Sequence, residues 1–281
     1  MRQNTKTIID ISQDPGLNRI PVQAVVKIPR LPISIPKYHW RPDRLDKRDY
    51  RYQVTNKSQS KIVDLRNYCS RIEDQGNLGS CTGQAIASAI ELLNKRNGKQ
   101  NDISRLFIYY YERALINTIN YDSGAYIRDG IKVTNKQGAP LETLWPYNIQ
   151  RFKQRPNENA INDALNRKVT LYERVLDHNG CLDALSNGYP VVAGFYVYSS
   201  FDTRQVATTG TMSYPNVLKE KLLGGHAVLL VGYDKNKQTY IVRNSWGTSW
   251  GDNGYFYMPF QVIQNTRMSS DFWVIKSVNN P

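Results

Sequence analysis

Cysteine and histidine are scarce in this chain, with three of each in 281 residues. Three cysteines are too few for a disulfide framework, so Cys69 and Cys181 are expected as free thiols rather than as a bridge. No cluster has the spacing of zinc ligands, and no metal or other cofactor is expected. Long hydrophobic runs are also missing. Nothing approaches the roughly 18 consecutive apolar residues of a membrane helix, so no membrane partner is expected. Met1-Arg2-Gln3-Asn4-Thr5-Lys6 leads into no apolar signal core. The expected setting is therefore intracellular, or inside a particle such as a virion, rather than classical secretion. Acidic residues are outnumbered, 24 against 37 Lys and Arg, for a net charge of +13. Much of that excess lies in residues 1–60, which hold twelve basic and five acidic side chains. Basic charge suits nucleic acid, but no aromatic–basic RNA motif or recognition helix accompanies it. A solvated basic surface is the expected reading, and nucleic acid is not indicated beyond the charge.

What is present divides the chain in two. Pro15, Pro21, Pro29, Pro32, Pro36 and Pro42 recur through residues 1–58. Proline removes N–H donors and biases its neighbours to extended conformations, which excludes a long helix. Val22 to Ile35 alternates apolar residues with prolines, as an extended strand laid on another surface would. Residues 1–58 are expected to be either a pro-segment occupying a cleft or an arm wrapping the domain that follows. That domain, 59–281, changes character at its midpoint. Ala85, Ile86, Ala89, Ile90 and Leu93 recur at helical spacing, and Asn97-Gly98 ends the run. Ser104 to Tyr111 and Glu158 to Arg167 read as further helices. From Val169 the pattern is short β runs: Val169–Tyr172, Val191–Tyr198, Ala227–Tyr233, Tyr240–Arg243 and Gly254–Met258. The expectation is an α+β fold with a helical lobe over about 75–168 and a β-barrel-like lobe over about 169–281. A cleft between them would hold the site.

The chemistry-bearing residues fall on both halves. Cys81 sits in Asp74-Gln75-Gly76-Asn77-Leu78-Gly79-Ser80-Cys81, at the start of the first helical run. A thiol at a helix N-terminus feels the dipole and the free backbone N–H groups, and both favour the thiolate. The small residues around it leave room for a ligand backbone. His226 lies in Gly224-Gly225-His226-Ala227-Val228, and Asn244 in Arg243-Asn244-Ser245-Trp246-Gly247. A thiol needs a base, and an imidazole needs a partner to hold its ring. Two other histidines lack such contexts. His178 lies in a stretch that reads as a solvated turn, and His39 beside Trp40 reads as packing.

Three segments together resemble the papain-like cysteine peptidases, from about Lys61 to the C-terminus. They are Gln75-Gly76-x-x-Gly79-Ser80-Cys81, then Gly225-His226-Ala227-Val228-x-x-Val231-Gly232-Tyr233, then Asn244-Ser245-Trp246-Gly247-x-x-Trp250-Gly251-x-x-Gly254-Tyr255. The resemblance implies the papain-like two-lobe fold and a hydrolase cutting protein or peptide substrates through a thioester. It implies Cys81 as nucleophile, His226 as base and acid, Asn244 as the ring's orienting partner, and Gln75 as oxyanion donor with the Cys81 N–H. Trp246 would cover the His226–Asn244 pair. Ser123 and Gly124 would offer backbone groups to an extended substrate. Gly194, Gly225 and Ser270 would line the pocket for the second residue before the scissile bond, a roomy pocket suited to bulky side chains. Asp271 beside it could instead favour a basic one. It further implies an N-terminal segment acting as intramolecular inhibitor.

Two departures stand out. The family's usual cysteine three before the nucleophile is Leu78, and its usual Cys-Trp pair is Cys81-Thr82. Neither removes a catalytic group. Both resemble the bacterial and large-DNA-virus branch of the family, as do Tyr38-His39-Trp40-Arg41-Pro42-Asp43 and Asp122 to Gly130. A non-catalytic binding protein on the same scaffold is the competing reading, and another thiol acyl-transfer enzyme is a third. Inactive relatives usually lose the thiol or the imidazole, and this chain keeps both.

Overall fold

Burial is concentrated on one helix and one strand that face each other across the site. In α1 (Cys81–Arg96) every residue from Cys81 to Asn94 is buried. In β6 (Leu222–Asp234) every residue between the two ends is buried. The computed structural model describes residues 38–55 and 60–279, which belong to one compact unit. The expected strand over Val22–Ile35, and the rest of 1–37, lie outside the described residues.

In chain order the elements begin with β1 (Trp40–Arg41), β2 (Ile62–Asp64), α1, and α2 (Arg105–Leu115). They continue with β3 (Ala125–Tyr126), α3 (Ile127–Lys136), α4 (Glu158–Ala164), β4 (Val169–Val175), α5 (His178–Ser186) and β5 (Val191–Tyr198). The last are α6 (Arg204–Thr209), β6, β7 (Thr239–Arg243), β8 (Tyr255–Pro259), α7 (Phe260–Gln264) and β9 (Ser269–Val278). The strands of the second half form one sheet in the order β4-β9-β5-β6-β7-β8, antiparallel throughout, with β2 added against β6. The helices up to α4 make the other half, so the chain has an α+β, two-lobe papain-like fold. Among the described residues no helix is long and apolar enough to cross a membrane.

Local chemistry explains most boundaries. Ser104 caps α2 by accepting from the Phe107 N–H, and Asn157 caps α4 through Ala160. Gly98, at a φ of +77°, lets the chain turn away after α1. The turn expected around His178 is instead the start of α5. Asp177 accepts from the Gly180 N–H at 2.8 Å and is a helix cap, so Asp-x-Asn-Gly marks a beginning rather than a loop. His178 is half-buried, its Nδ1 2.8 Å from the Tyr240 hydroxyl. The expected helix at 158–167 stops three residues early, at Ala164.

The halves are braced by Arg243, which is buried at the end of β7. Its Nε donates to Ser88 Oγ on α1 at 3.1 Å, and Nη1 donates to the Ser70 carbonyl at 2.7 Å. Nη2 donates to Ser70 Oγ at 3.1 Å and to the Arg71 carbonyl. This fixes the register of the β lobe against α1 one residue before Asn244.

Candidate active site

Cys81 is the first residue of α1, after Ser80. His226 stands in the middle of the sheet on β6, opposite Phe195 of β5. Asn244 follows β7, and its N–H donates to the Gly254 carbonyl at 3.0 Å. His226 Nε2–H donates to Asn244 Oδ1 at 2.8 Å. The neutral ring therefore keeps its lone pair on Nδ1. The Asn244 oxygen is itself held by the Ser245 N–H at 2.9 Å. Trp246 stacks on the imidazole with centroids 4.9 Å apart and planes 25° apart, which shields the pair from water. The backbone of Ala227, next to His226, reaches the Cys81 sulfur, as do those of Thr82 and His39. The structure thus gathers Cys81, His226, Asn244 and Trp246 around one point where the lobes meet.

Gln75 is fully buried beside them. Its Nε2 donates to the Leu78 carbonyl at 2.9 Å, and its Oε1 accepts from the Ser245 hydroxyl at 2.6 Å. The Leu78 carbonyl can only accept, which fixes Nε2 as the donor end of the amide. Ser245 was not singled out by sequence; its place between Asn244 and Trp246 is the only signal. Asp122 was also missed as a supporting residue. Its carboxylate accepts the Gly79 N–H at about 3.0 Å and the Tyr109 hydroxyl, tying the loop before Cys81 to α2. Behind α1, Thr82 Oγ1 donates to Glu112 Oε2 at 2.7 Å, and burial pushes the Glu112 carboxyl up to about 8.

The cleft is filled by the chain's own residues 38–41. β1 runs parallel to β3, with Trp40 opposite Ala125, and His39 bridges to Gly225. Tyr38 sets its ring edge-on to His226 and Trp246, at 6.1 and 5.8 Å between centroids. His39 passes Gly79 and Gly124, with Nδ1 3.6 Å from Asp122. The Trp40 indole lies on Gly194, where a β-carbon would overlap it, and meets Tyr196 edge-on at 5.5 Å. Gly194 faces Ala227 on one side and Ser270 on the other, so the sheet is small-walled there. Gly225 lies under the Trp40 backbone. The Ser123 hydroxyl turns to Thr118 Oγ1 at 2.7 Å and the Gly124 carbonyl at 3.0 Å, away from any role of its own in the cleft.

This filling accounts for a difference from the sequence expectation. Small neighbours argued for an open thiol, yet Cys81 is fully buried, and burial pushes it up to about 12. The idea that Asp271 favours a basic substrate side chain also fails. Its oxygens are spent on Arg174 Nη2 at 2.8 Å and the Asp43 N–H at 2.6 Å. Cys69 and Cys181 are free and buried. Among the described residues no group of three or more His, Cys, Asp or Glu could hold a metal ion.

Comparison with known proteins agrees with this geometry. The family model described as "Papain family cysteine protease" matches residues 59–274. An uncharacterized peptidase C1-like protein of Acanthamoeba polyphaga mimivirus is 42% identical over 232 residues, 79% of this chain and 74% of that protein. The crystal structure of xylellain, a cysteine protease from Xylella fastidiosa, superposes with a TM-score of 0.81 at 38% identity. It covers 90% of this chain and 99% of that one. Digestive procathepsin L 3 of Tenebrio molitor shares the fold at 21% identity, with a TM-score of 0.65 over 80% of this chain and 72% of that one. A thiol at a helix start, an imidazole pinned from the opposite lobe, and a family match spanning both lobes lead to one conclusion: this chain belongs to the papain family of cysteine proteases.

Proposed function

We propose that the protein is a cysteine endopeptidase made in a latent form. The observation that carries the reading is His226, pinned through Nε2 by Asn244 under Trp246, on the strand whose next residue, Ala227, reaches the Cys81 sulfur. In the reaction, the Cys81 proton passes to His226 and the thiolate attacks the peptide carbonyl. The oxyanion is met by the Cys81 N–H and the second N–H of Gln75. His226 returns the proton to the leaving amine, leaving a thioester. It then takes a proton from water, whose attack releases the acid and restores the thiol.

Two features support latency. Residues 38–41 exclude substrate, and they hold the thiol in a buried setting that disfavours its thiolate. Their direction also spares them. By the family resemblance, a substrate enters from the Gly194 pocket toward Trp246. Here Trp40 takes that pocket and the earlier residue Tyr38 takes the Trp246 side. The chain therefore crosses the thiol backwards. The pocket holds an indole, which supports a preference for a large aromatic side chain at the second position before the cut.

The test is peptide turnover by processed protein, with labelling by an irreversible peptidyl epoxide. Cys81→Ala abolishes both, whereas Cys69→Ala and Cys181→Ala keep most of the activity. Hydrolysis surviving in Cys81→Ala sinks the assignment. A wild-type chain that binds peptides but takes no label favours the binding-protein reading.

A further inference from the structure

The segment that crosses the cleft continues into one of a different kind. Tyr38–Arg41 is held by stacking, by glycine-walled shape, by the short β1–β3 pairing and by His39 beside Asp122, and the Trp40 Nε1–H makes no hydrogen bond among the described residues. Asp43–Thr55 is held by charge. The Asp43 carboxylate is buried and accepts from the Arg128 N–H at 3.2 Å and from Trp273 Nε1 at 3.0 Å. The Asp43 N–H donates to Asp271. Asp49 takes Arg128 through Nε at 3.0 Å and through Nη2, and takes Arg174 Nη1 at 3.1 Å. Arg174 closes the ring on Asp271.

Further along, the backbone pairs with the outer edge of β4: the Arg174 N–H donates to Tyr50 O at 2.7 Å and the Tyr52 N–H to Arg174 O at 2.9 Å. Tyr52 is buried, and its hydroxyl donates to Asp183 at 2.8 Å. Thr55 meets the same carboxylate through its N–H at 3.1 Å and its hydroxyl at 2.9 Å.

Removing Asp43–Thr55 would therefore strip Arg128, Arg174, Asp271 and the Trp273 N–H of buried partners at once. Breaking one side of a buried ion pair is strongly destabilising because the other charge stays desolvated. It would also bare the edge of β4. Removing Tyr38–Arg41 leaves those four groups and β4 covered, and gives up only the two-residue β1–β3 pairing and the His39 contact to Asp122. It empties a groove whose walls are mostly glycine and aromatic rings.

We propose that activation cuts the chain on the N-terminal side of Asp43, and that the mature enzyme keeps Asp43–Thr55 as a permanent part of its fold. This rests on reading Tyr38–Arg41 as the inhibitory contact. The cut is ordinary peptide hydrolysis: water adds across one bond, giving a carboxylate on the departing piece and an amine on the retained chain. Because residues 38–41 lie backwards over their own thiol, a second molecule performs it.

The experiment uses the full chain with a recognition sequence for a site-specific endoprotease inserted at one of two places. With the insert between Thr55 and Ser60, the nicked pieces should co-elute on native gel filtration and peptide turnover should stay at its latent level. With the insert between Arg41 and Pro42, the front piece should elute separately. The inference is overturned if the piece ending at Thr55 leaves, or if the piece ending at Arg41 stays. In parallel, wild-type chain is incubated until turnover plateaus, labelled with the peptidyl epoxide and sequenced from its N-terminus. A labelled species starting at or before Asp43 is expected, and one starting beyond Tyr52 overturns the inference. If no molecule takes the label, the peptidase reading has failed, while the elution result still decides the retention of Asp43–Thr55.

Discussion

Gln75 enters the site with its amide orientation already set, because the Leu78 carbonyl can only accept and makes Nε2 the donor, while the Ser245 hydroxyl donates to Oε1. A donor fixed before the reaction costs no reorganisation when charge appears. Gln75→Ala should therefore lower kcat by roughly a hundredfold to a thousandfold, about 2.7–4 kcal/mol, with KM little changed. Steady-state kinetics on processed protein decides. A raised KM with an unchanged kcat makes Gln75 a ground-state contact and overturns its role. At this scale the sequence is informative where chemistry and chain neighbours coincide. Cys81 and His226 each sit in a run of small residues, and Asn244 opens a Ser-Trp-Gly run, so each context lies within a few chain neighbours. Ser245 and Asp122 are not legible in the same way. Their partners Gln75 and Gly79 are brought to them by the fold, at separations no local pattern encodes. The burial of Cys81 was misjudged for the same reason, since what covers it comes from another part of the chain.

The cleft-crossing segment is where elements, rather than residues, carry the behaviour. Truncating a buried Trp to Ala costs about 3–5 kcal/mol in a packed core. For Trp40 that loss falls on the closed state alone. Trp40→Ala in the full chain should shift the closed-to-open balance by roughly a hundredfold to a few thousandfold, at about 1.4 kcal/mol per tenfold. Epoxide labelling of unprocessed protein should rise accordingly; unchanged labelling counts against the inhibitory contact. The retained segment that follows it has a pH dependence with a definite sign. Burial, then the charge of Asp271, pushes the Asp43 carboxyl up to about 7, opposed by Arg128 and by hydrogen bonds from Trp273 and Arg128. Asp271 is raised too, chiefly by burial, against Arg174 and Arg128. In the unfolded chain Asp43 would titrate near 3.9. The folded state thus holds a proton that the unfolded chain gives up. Its extra stability is full below about pH 4 and is lost as pH rises toward 7. Hydrogen exchange of the Tyr52 and Arg174 amides, which pair this segment with β4, corrected for intrinsic rates, should show protection falling from pH 5 to 8. In Asp43→Asn the dependence should flatten, and protection that grows with pH overturns the account. Elements with a clear cap or a continuous apolar run, such as α2 and β5, could be read from sequence. α3 could not, because Tyr126 offers no side-chain cap and Gly130 and Val133 lower its helix propensity.

At the scale of the whole molecule, catalysis depends on two separately folded surfaces meeting in register. The division into a helical and a β half was visible in the change of period near Val169. The brace between them was not, because Arg243 reads as an ordinary strand-end charge. Yet it is buried and spans from β7 to Ser88 on α1 and to the backbone of Ser70 and Arg71. It also stands near the buried Glu91, whose carboxyl burial raises while Arg105 and then Arg243 pull it down. Arg243→Met keeps much of the apolar stem and removes the charge and its donors. Four acceptors and one carboxylate are then left with less compensation in a dry site. The cost should be about 3–5 kcal/mol, as for breaking a buried charged cluster from one side. A large domain loses roughly 2–4 °C per kcal/mol, so the melting temperature should fall by about 6–20 °C. Because Asn244 is the next residue, the loss should also reach the chemistry: at a temperature where the variant is fully folded, kcat should drop more than KM rises. Calorimetry and kinetics on one preparation separate the two effects. A lower melting temperature with wild-type kcat would make Arg243 a matter of stability alone, with the two halves of the site held in register by something other than this contact.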